Sequence, residues 1–254
     1  MKITRSPLLL VAHPCHELLL HGWVAESKPV VHVLTDGSGH ASSARIEMTA
    51  QFLREMGGQP GSVFGRFSDR EAYAAILDGN TALFLEVANE LAEDITARNP
   101  SMIVCDAVEG YNPVHDLCRL IAGAAIDLAD SDTPQYEYPV VGDPRSFDGA
   151  IAVNLDDAAH ATKIERARRM ADVVPDVDEL FSRYGADSYR RETLRRVIDW
   201  TDVGEGTPLY EQFGEERVAR HRYARVIRKA EHIVPLRDAL CNAVIGKRRA
   251  GQVA

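Results

Sequence analysis

Three short apolar runs constrain this chain's fold more than any other feature: PLLLVA at 7–12, VVHVLT at 30–35 and SMIVCD at 101–106. None alternates strictly between apolar and polar residues. Each therefore suits a strand covered on both faces, as in a parallel sheet between helices. The stretches between them carry helical spacing. ARIEMTAQFLREM (44–56) stops at Gly57 and Gly58, as a helix C-terminus should. Residues 81–97 repeat Ala, Leu and Val at intervals of three and four and end before Asn99 and Pro100. VHDLCRLIAGAAIDL (114–128) reads as a helix apolar over much of its surface. Further strands are expected at 62–67 and, more weakly marked, at 135–141 and 150–154. This alternation predicts an α/β fold, a Rossmann-like and mostly parallel sheet flanked by helices.

The character changes after about residue 156. Residues 156–172 (DDAAHATKIERARRMAD) read as a charged helix, and 183–196 and 215–243 as further helices, separated by the turn-rich VGEGTP at 203–208. Pro175 to Asp178 marks a boundary too short for a free linker. The expectation is a single domain over 1–254, with an α/β core at 1–172 and a helical C-terminal extension at 173–254 packed on it.

The net charge of −9 argues against nucleic-acid binding and against an anionic membrane surface, both of which need a basic face. Four cysteines in 254 residues make no disulfide framework, and Cys105 and Cys118 read as reduced, buried thiols. No window is long and apolar enough to span a bilayer, and residues 7–12 lack the pattern of a signal peptide. The expected setting is cytoplasmic.

In a parallel α/β sheet, ligands gather outside the carboxyl ends of the strands. Three polar clusters fall there: His13-Pro-Cys-His-Glu17, Thr35-Asp36-Gly37, and the stretch from Glu109 through Tyr111, Asn112 and His115 to Asp116. His13 and His16 sit three apart across a strand-to-helix turn and can face one ion, with His115 as the third ligand. Imidazole suits zinc, iron, copper or nickel, and three ligands plus an open position is the arrangement of catalytic zinc. His32 and His160, taken singly, read as structural histidines.

LLLVAHPCHE followed by VHVLTDGSG and a helix ending LREMG resembles the N-terminus of the PIG-L/LmbE-like metal-dependent N-deacetylases. In that family the first strand ends in Ala-His-Pro-Asp-Asp-Glu, the second in Thr-Asp/Asn-Gly, and a later helix begins His-Pro-Asp-His. Here the third block reads Asn112-Pro113-Val114-His115, and the match covers about residues 5–170. The resemblance implies a zinc-dependent hydrolase that cleaves an N-acyl bond of an amino sugar or related small metabolite with metal-activated water. The metal, Zn2+ with Fe2+ as the alternative, falls to His13, His16 and His115. Asp69 corresponds to a family aspartate that meets sugar hydroxyls. Arg45 resembles a family arginine at the start of the second helix and reads either as a grip on an anionic substrate group or as a solvated helix residue, and Lys163 and Glu192 match later positions.

The departures sit at the chemistry. Cys15 occupies the place of the family's general base, His16 replaces a carboxylate ligand, and Asn112 and Val114 replace a histidine and an aspartate. Cys15 is left as an acid/base, a fourth ligand or neither. Asp36 and Glu109 are alternative bases, Tyr111 an oxyanion stabiliser, and Arg45, Asp69 and Asn112 substrate contacts. Glu17 reads as a helix cap or a residue that orients a ligand. The Arg-rich C-terminal helices either roof the pocket over an acidic small molecule, pair with surface carboxylates, or mediate a homo-oligomer. Three readings follow in order: a C–N hydrolase acting on a small molecule, another reaction on the same fold and metal, or a non-catalytic binding protein.

Overall fold

The run at the start of the chain forms strand β1 (Leu8–Val11), every residue of it buried. In the computed structural model, which describes residues 5–39, 44–171 and 176–253, β1 is an interior strand of a seven-stranded sheet of order β3-β2-β1-β4-β5-β7-β6. The strands are β2 (Val30–Thr35), β3 (Gln59–Phe67), β4 (Ile103–Asp106), β5 (Gln135–Tyr138), β6 (Ile151–Asn154) and β7 (Arg191–Arg196). β1 to β5 are mutually parallel, and β7 and then β6 continue the sheet antiparallel.

The lack of alternation in LLLV is explained by helices on both faces. Leu8 and Leu10 pack on one side, Leu9 and Val11 on the other. The helices are α1 (His21–Ser27), α2 (Ile46–Met56), α3 (Asp69–Leu77), α4 (Thr81–Arg98), α5 (Pro113–Leu128), α6 (Asp157–Ala171), α7 (Asp176–Tyr184), α8 (Leu209–Ala219) and α9 (Val234–Val253). One face is covered by α3, α4, α5 and α9 through residues such as Ile76, Leu91, Leu120 and Leu240. The other is covered by α1, α2 and α6 through Trp23, Val24, Phe52 and Ala167. Gly57 ends α2 at φ 81, a left-handed backbone that glycine adopts without strain.

The C-terminal third departs from the expectation in two places. The helix expected over 183–196 is α7 followed by a 3-10 turn (Ala186–Arg190) and strand β7. Tertiary pairing outweighs the helical look of the arginines here: β7 inserts between β5 and β6, where Arg195 pairs with Glu137 at 2.7 Å and Glu192 is buried. The helix expected over 215–243 is broken by His221 at φ 55 and resumes through a π-helical turn (Lys229–Ile233) into α9. Pro175, at the start of the expected boundary, lies outside the described residues. Among the described residues, no helix is long and apolar enough to cross a membrane.

His32 and His160 are structural, as expected. His32 is fully buried with Nε2 3.2 Å from Asp94, and the Nε2 of His160 lies 3.0 Å from the Ala186 carbonyl.

Candidate metal centre

The strand order reverses between β1 and β4, the point at which an open α/β sheet leaves a crevice beyond its carboxyl ends. His13 and His16 leave β1 there, and His115 stands at the first turn of α5 just after β4. The three rings form a compact triangle. Their centroids are 5.3 Å (His13–His16), 5.2 Å (His13–His115) and 4.7 Å (His16–His115) apart, each pair edge to face.

Carboxylates orient two of the rings. The Nδ1 of His13 lies 2.8 Å from the Thr35 hydroxyl and 3.0 Å from Asp69, while that hydroxyl donates to the Ala12 carbonyl. His16 has its Nδ1 2.8 Å from Asp106 Oδ2. The same Oδ2 accepts the Ala12 amide, and Oδ1 accepts the Tyr138 hydroxyl at 2.8 Å. With Nδ1 protonated in both rings, each Nε2 keeps its lone pair, the arrangement that carboxylate–histidine–metal triads use.

Imidazole nitrogen with carboxylate oxygen is a donor chemistry that suits a divalent transition ion. His115 has a buried Nδ1 with no hydrogen-bond partner, and ligation removes such a deficit. Burial, reinforced by His16 and His13, holds the His115 imidazole well below its usual pKa and hence neutral. His16 feels burial pulling its pKa down, but the charge and hydrogen bond of Asp106 more than offset that. Potential ligand atoms of His16, Asp106 and His115 all fall within 4.8 Å of one another, a group that has Asp106 where the sequence reading had His13.

The other site candidates are distributed unequally around this triangle. Asn112 caps α5 with its Oδ1 and brings its Nδ2 to 3.3 Å from the His13 Nε2. Tyr111 lies against His115, with ring centroids 6.4 Å apart. Arg45 packs near Gly37 and Pro14, and its charge reaches His16 and Cys15. Asp36 accepts the Ser38 amide at 2.9 Å in a tight turn after β2. Asp69 holds His13 and the Gly39 amide with its two oxygens. Burial disfavours its charge, but the hydrogen bond and charge of His13 and the Gly39 amide hold its pKa well below the usual carboxylate range.

Glu109 is turned toward β5. Its carboxylate accepts the amides of Val140, Val141 and Gly142 at 3.0, 2.9 and 2.7 Å and so fixes the loop after that strand. Cys15 sits at φ 81 within the apolar cluster of Leu18, Val33 and Phe52. Burial and the Glu17 charge push its thiol far up, against a smaller opposing effect of Arg45, so it stays protonated.

Asp106, Thr35 and Tyr138 complete the centre without having been singled out as site residues. The signal for Asp106 was present, since an aspartate closing the buried run SMIVCD must meet a partner at the strand's carboxyl end. Lys163 and Glu192, named separately by the family resemblance, meet in a buried ion pair at 2.9 Å. Glu192 also accepts the amides of Gly22 and Trp23 at 3.0 and 2.8 Å, just beyond the HPCHE turn.

Sequence comparison finds no matching family model and no matching curated protein. Solved structures do match. The A40926 pseudoaglycone deacetylase Dbv21 aligns at a TM-score of 0.55 and 16% identity, over 78% of this chain and 98% of its own. A deacetylase of the teicoplanin biosynthesis pathway aligns at 0.54 and 15% identity, over 76% and 100%. The conserved protein TT1542 from Thermus thermophilus aligns at 0.51 and 17% identity, over 76% and 94%. The chain has the PIG-L/LmbE-like deacetylase fold. The likeness shows the fold alone, and the chemistry rests on this chain's own residues.

Two predictions arise here. Asp69→Asn keeps the shape beside His13 but removes the charge that orients it. Affinity for zinc is expected to fall about 10–100-fold, read by competition with a chromogenic chelator. Unchanged affinity would mean that Asp69 does not orient a ligand.

The second concerns Glu17, which is fully buried. Burial pushes its carboxyl from 4.5 up to about 7, against smaller opposing contributions from Thr49, backbone amides and His16. A carboxyl raised in the fold lends stability that is complete below its unfolded pKa and is lost as pH rises through the folded one. Glu17→Gln in metal-stripped protein should therefore gain about 3 kcal/mol over the parent at pH 8 and little at pH 5. Urea denaturation at the two pH values checks it, and an equal offset at both refutes it.

Proposed function

We propose that the chain is a metal-dependent hydrolase that cleaves the N-acyl bond of an amino sugar or related small metabolite. Its metal, zinc ahead of iron, is held by His13, His16 and His115. The observation that carries this reading is the triangle of three neutral-capable imidazoles, two of them oriented by carboxylates. A divalent ion at such a centre acidifies water and polarises an acyl oxygen.

The chain's own residues set the rest. Asp69 and Asp106 fix two rings and add negative charge behind them, which raises their basicity toward the ion. The Asn112 amide lies at hydrogen-bond distance from His13 and is placed to orient a polar group entering beside it. Tyr111 closes the side next to His115. Cys15, buried and protonated, fills space under the turn in place of a base. Asp69 and Asp106 are engaged by histidines and Glu109 and Asp116 by backbone amides, so proton transfer falls to groups on the substrate side or to Asp36.

The engagement of Asp69 and Asp106 by histidines favours a second reading, in which the same centre polarises its substrate for an elimination or hydration rather than an amide cleavage. One experiment separates them. Protein purified without chelator is analysed for metal, then incubated with a panel of N-acetylated amino sugars and amines while acetate release is followed. One equivalent of zinc with acetate release supports the hydrolase. Metal without acetate from any member of the panel supports the second reading. Absence of metal refutes both.

A further inference from the structure

Helix α8 begins beside the loop that carries Tyr111. At its start the Tyr210 amide donates to the Gly110 carbonyl at 3.1 Å, beside Tyr111. One turn on, Phe213 meets the edge of Tyr111 with ring centroids 5.9 Å apart, and Tyr111 in turn faces His115. A further turn on, Arg217 lies 5.3 Å from the Tyr223 ring and 3.3 Å from its hydroxyl. Tyr223 and Arg217 both act on the phenol of Tyr73, which faces Asn112 and Asp69. The helix thus presents Phe213 to Tyr111 and Arg217 to Tyr223, whose charges reach Tyr73.

Phe213 and Arg217 stand four apart and so share one face of α8. Phe213 is 41% exposed and Tyr223 37%, a large apolar surface left open to solvent next to buried imidazoles. Among the described residues, Arg217 makes its polar contact with a tyrosine hydroxyl and not with a carboxylate. A cation without a carboxylate partner, one helical turn from an open aromatic ring, suits a ligand that supplies both complements.

We propose that the Phe213–Arg217 face of α8 is the specificity surface of the centre and selects N-acyl substrates that carry an aromatic ring and a carboxylate. This rests on the hydrolase reading for the word substrate, and on the geometry alone for the ligand class. The ring stacks with Tyr111 and Phe213, the carboxylate pairs with Arg217, and the acyl group is left toward the histidines.

The test uses zinc-loaded full-length protein and calorimetric binding of N-acetylphenylalanine, N-acetylalanine and N-acetylglucosamine, with acetate release measured in parallel. N-acetylphenylalanine is expected to bind at least about fivefold tighter than either of the others. Phe213→Ala should bring it to the level of N-acetylalanine. Arg217→Gln should weaken both carboxylates by about fivefold or more and leave N-acetylglucosamine unchanged. Both variants alter exposed positions, and zinc content confirms that the centre is intact. No binding of N-acetylphenylalanine, no preference for it, or a preference that survives Phe213→Ala overturns the proposal. Selective binding without acetate release would refute the hydrolase reading and leave the specificity surface standing.

Discussion

His115→Ala is expected to yield a folded protein that no longer holds stoichiometric zinc and has lost hydrolysis by more than the 10–100-fold typical of an orienting residue. The reasoning starts from position. His115 lies on the first turn of α5, whose cap is made by Asn112 and whose helix is anchored by Leu117, Leu120 and Ile121 in the core. Removing the imidazole therefore leaves the helix in place and takes away a ring with an unpartnered buried nitrogen. Deleting that nitrogen removes an unsatisfied polar group, which offsets part of the cost of the cavity that Ala leaves. The combination is diagnostic: metal content and activity fall together while the metal-free protein still unfolds cooperatively with a modest change in melting temperature. A structural histidine would show the opposite, lower apo stability with the metal retained. The parent's zinc affinity should also fall as pH drops below neutral, since Asp106 raises the pKa of His16 and protons compete for its ring.

Glu192→Ala is the second large effect, and it acts on stability. The Lys163 and Glu192 side chains are 3% and 1% exposed, so the pair is desolvated on both sides. Cutting the glutamate leaves a buried ammonium with only the Leu19 and Tyr189 carbonyls, and strands the amides of Gly22 and Trp23. Breaking one partner of a buried pair costs about 3–5 kcal/mol. Burial already pulls the pKa of Lys163 down against the opposing pull of Glu192, and the variant loses that support. Chemical denaturation reads the loss. The double variant Lys163→Met with Glu192→Leu should recover part of it by replacing charge with apolar packing. A single variant within 1 kcal/mol of the parent, on the order of a surface change, would show the pair to be dispensable.

What the sequence made legible follows from the range of each interaction. β1, β2 and β4 were visible because a strand buried on both faces needs an unbroken apolar run, and that is a local property. His13, His16 and His115 were visible because strand ends in a parallel sheet share one edge. The choice of orienting partners was not. Whether Asp69 meets substrate or His13, and whether Glu109 serves as a base or binds the amides of 140–142, depends on side-chain direction across strands. Strand β7 was hidden for a related reason. RETLRR has few apolar residues, and its place in the sheet is decided by Glu137 and by the antiparallel neighbours, which lie far away in the sequence.

The Glu192 clamp also gives the centre a history in time. Its hydrogen bond to Gly22 spans 170 positions, whereas the histidines themselves lie between 13 and 115. A chain emerging N-terminus first has all three imidazoles available well before the residue that secures α1, the helix that follows the turn bearing two of them. Long-range closures of this kind form late, because the loop entropy must be overcome before the contact is made. For an interval during synthesis the three imidazoles are present while α1, which follows the turn bearing two of them, still lacks its clamp.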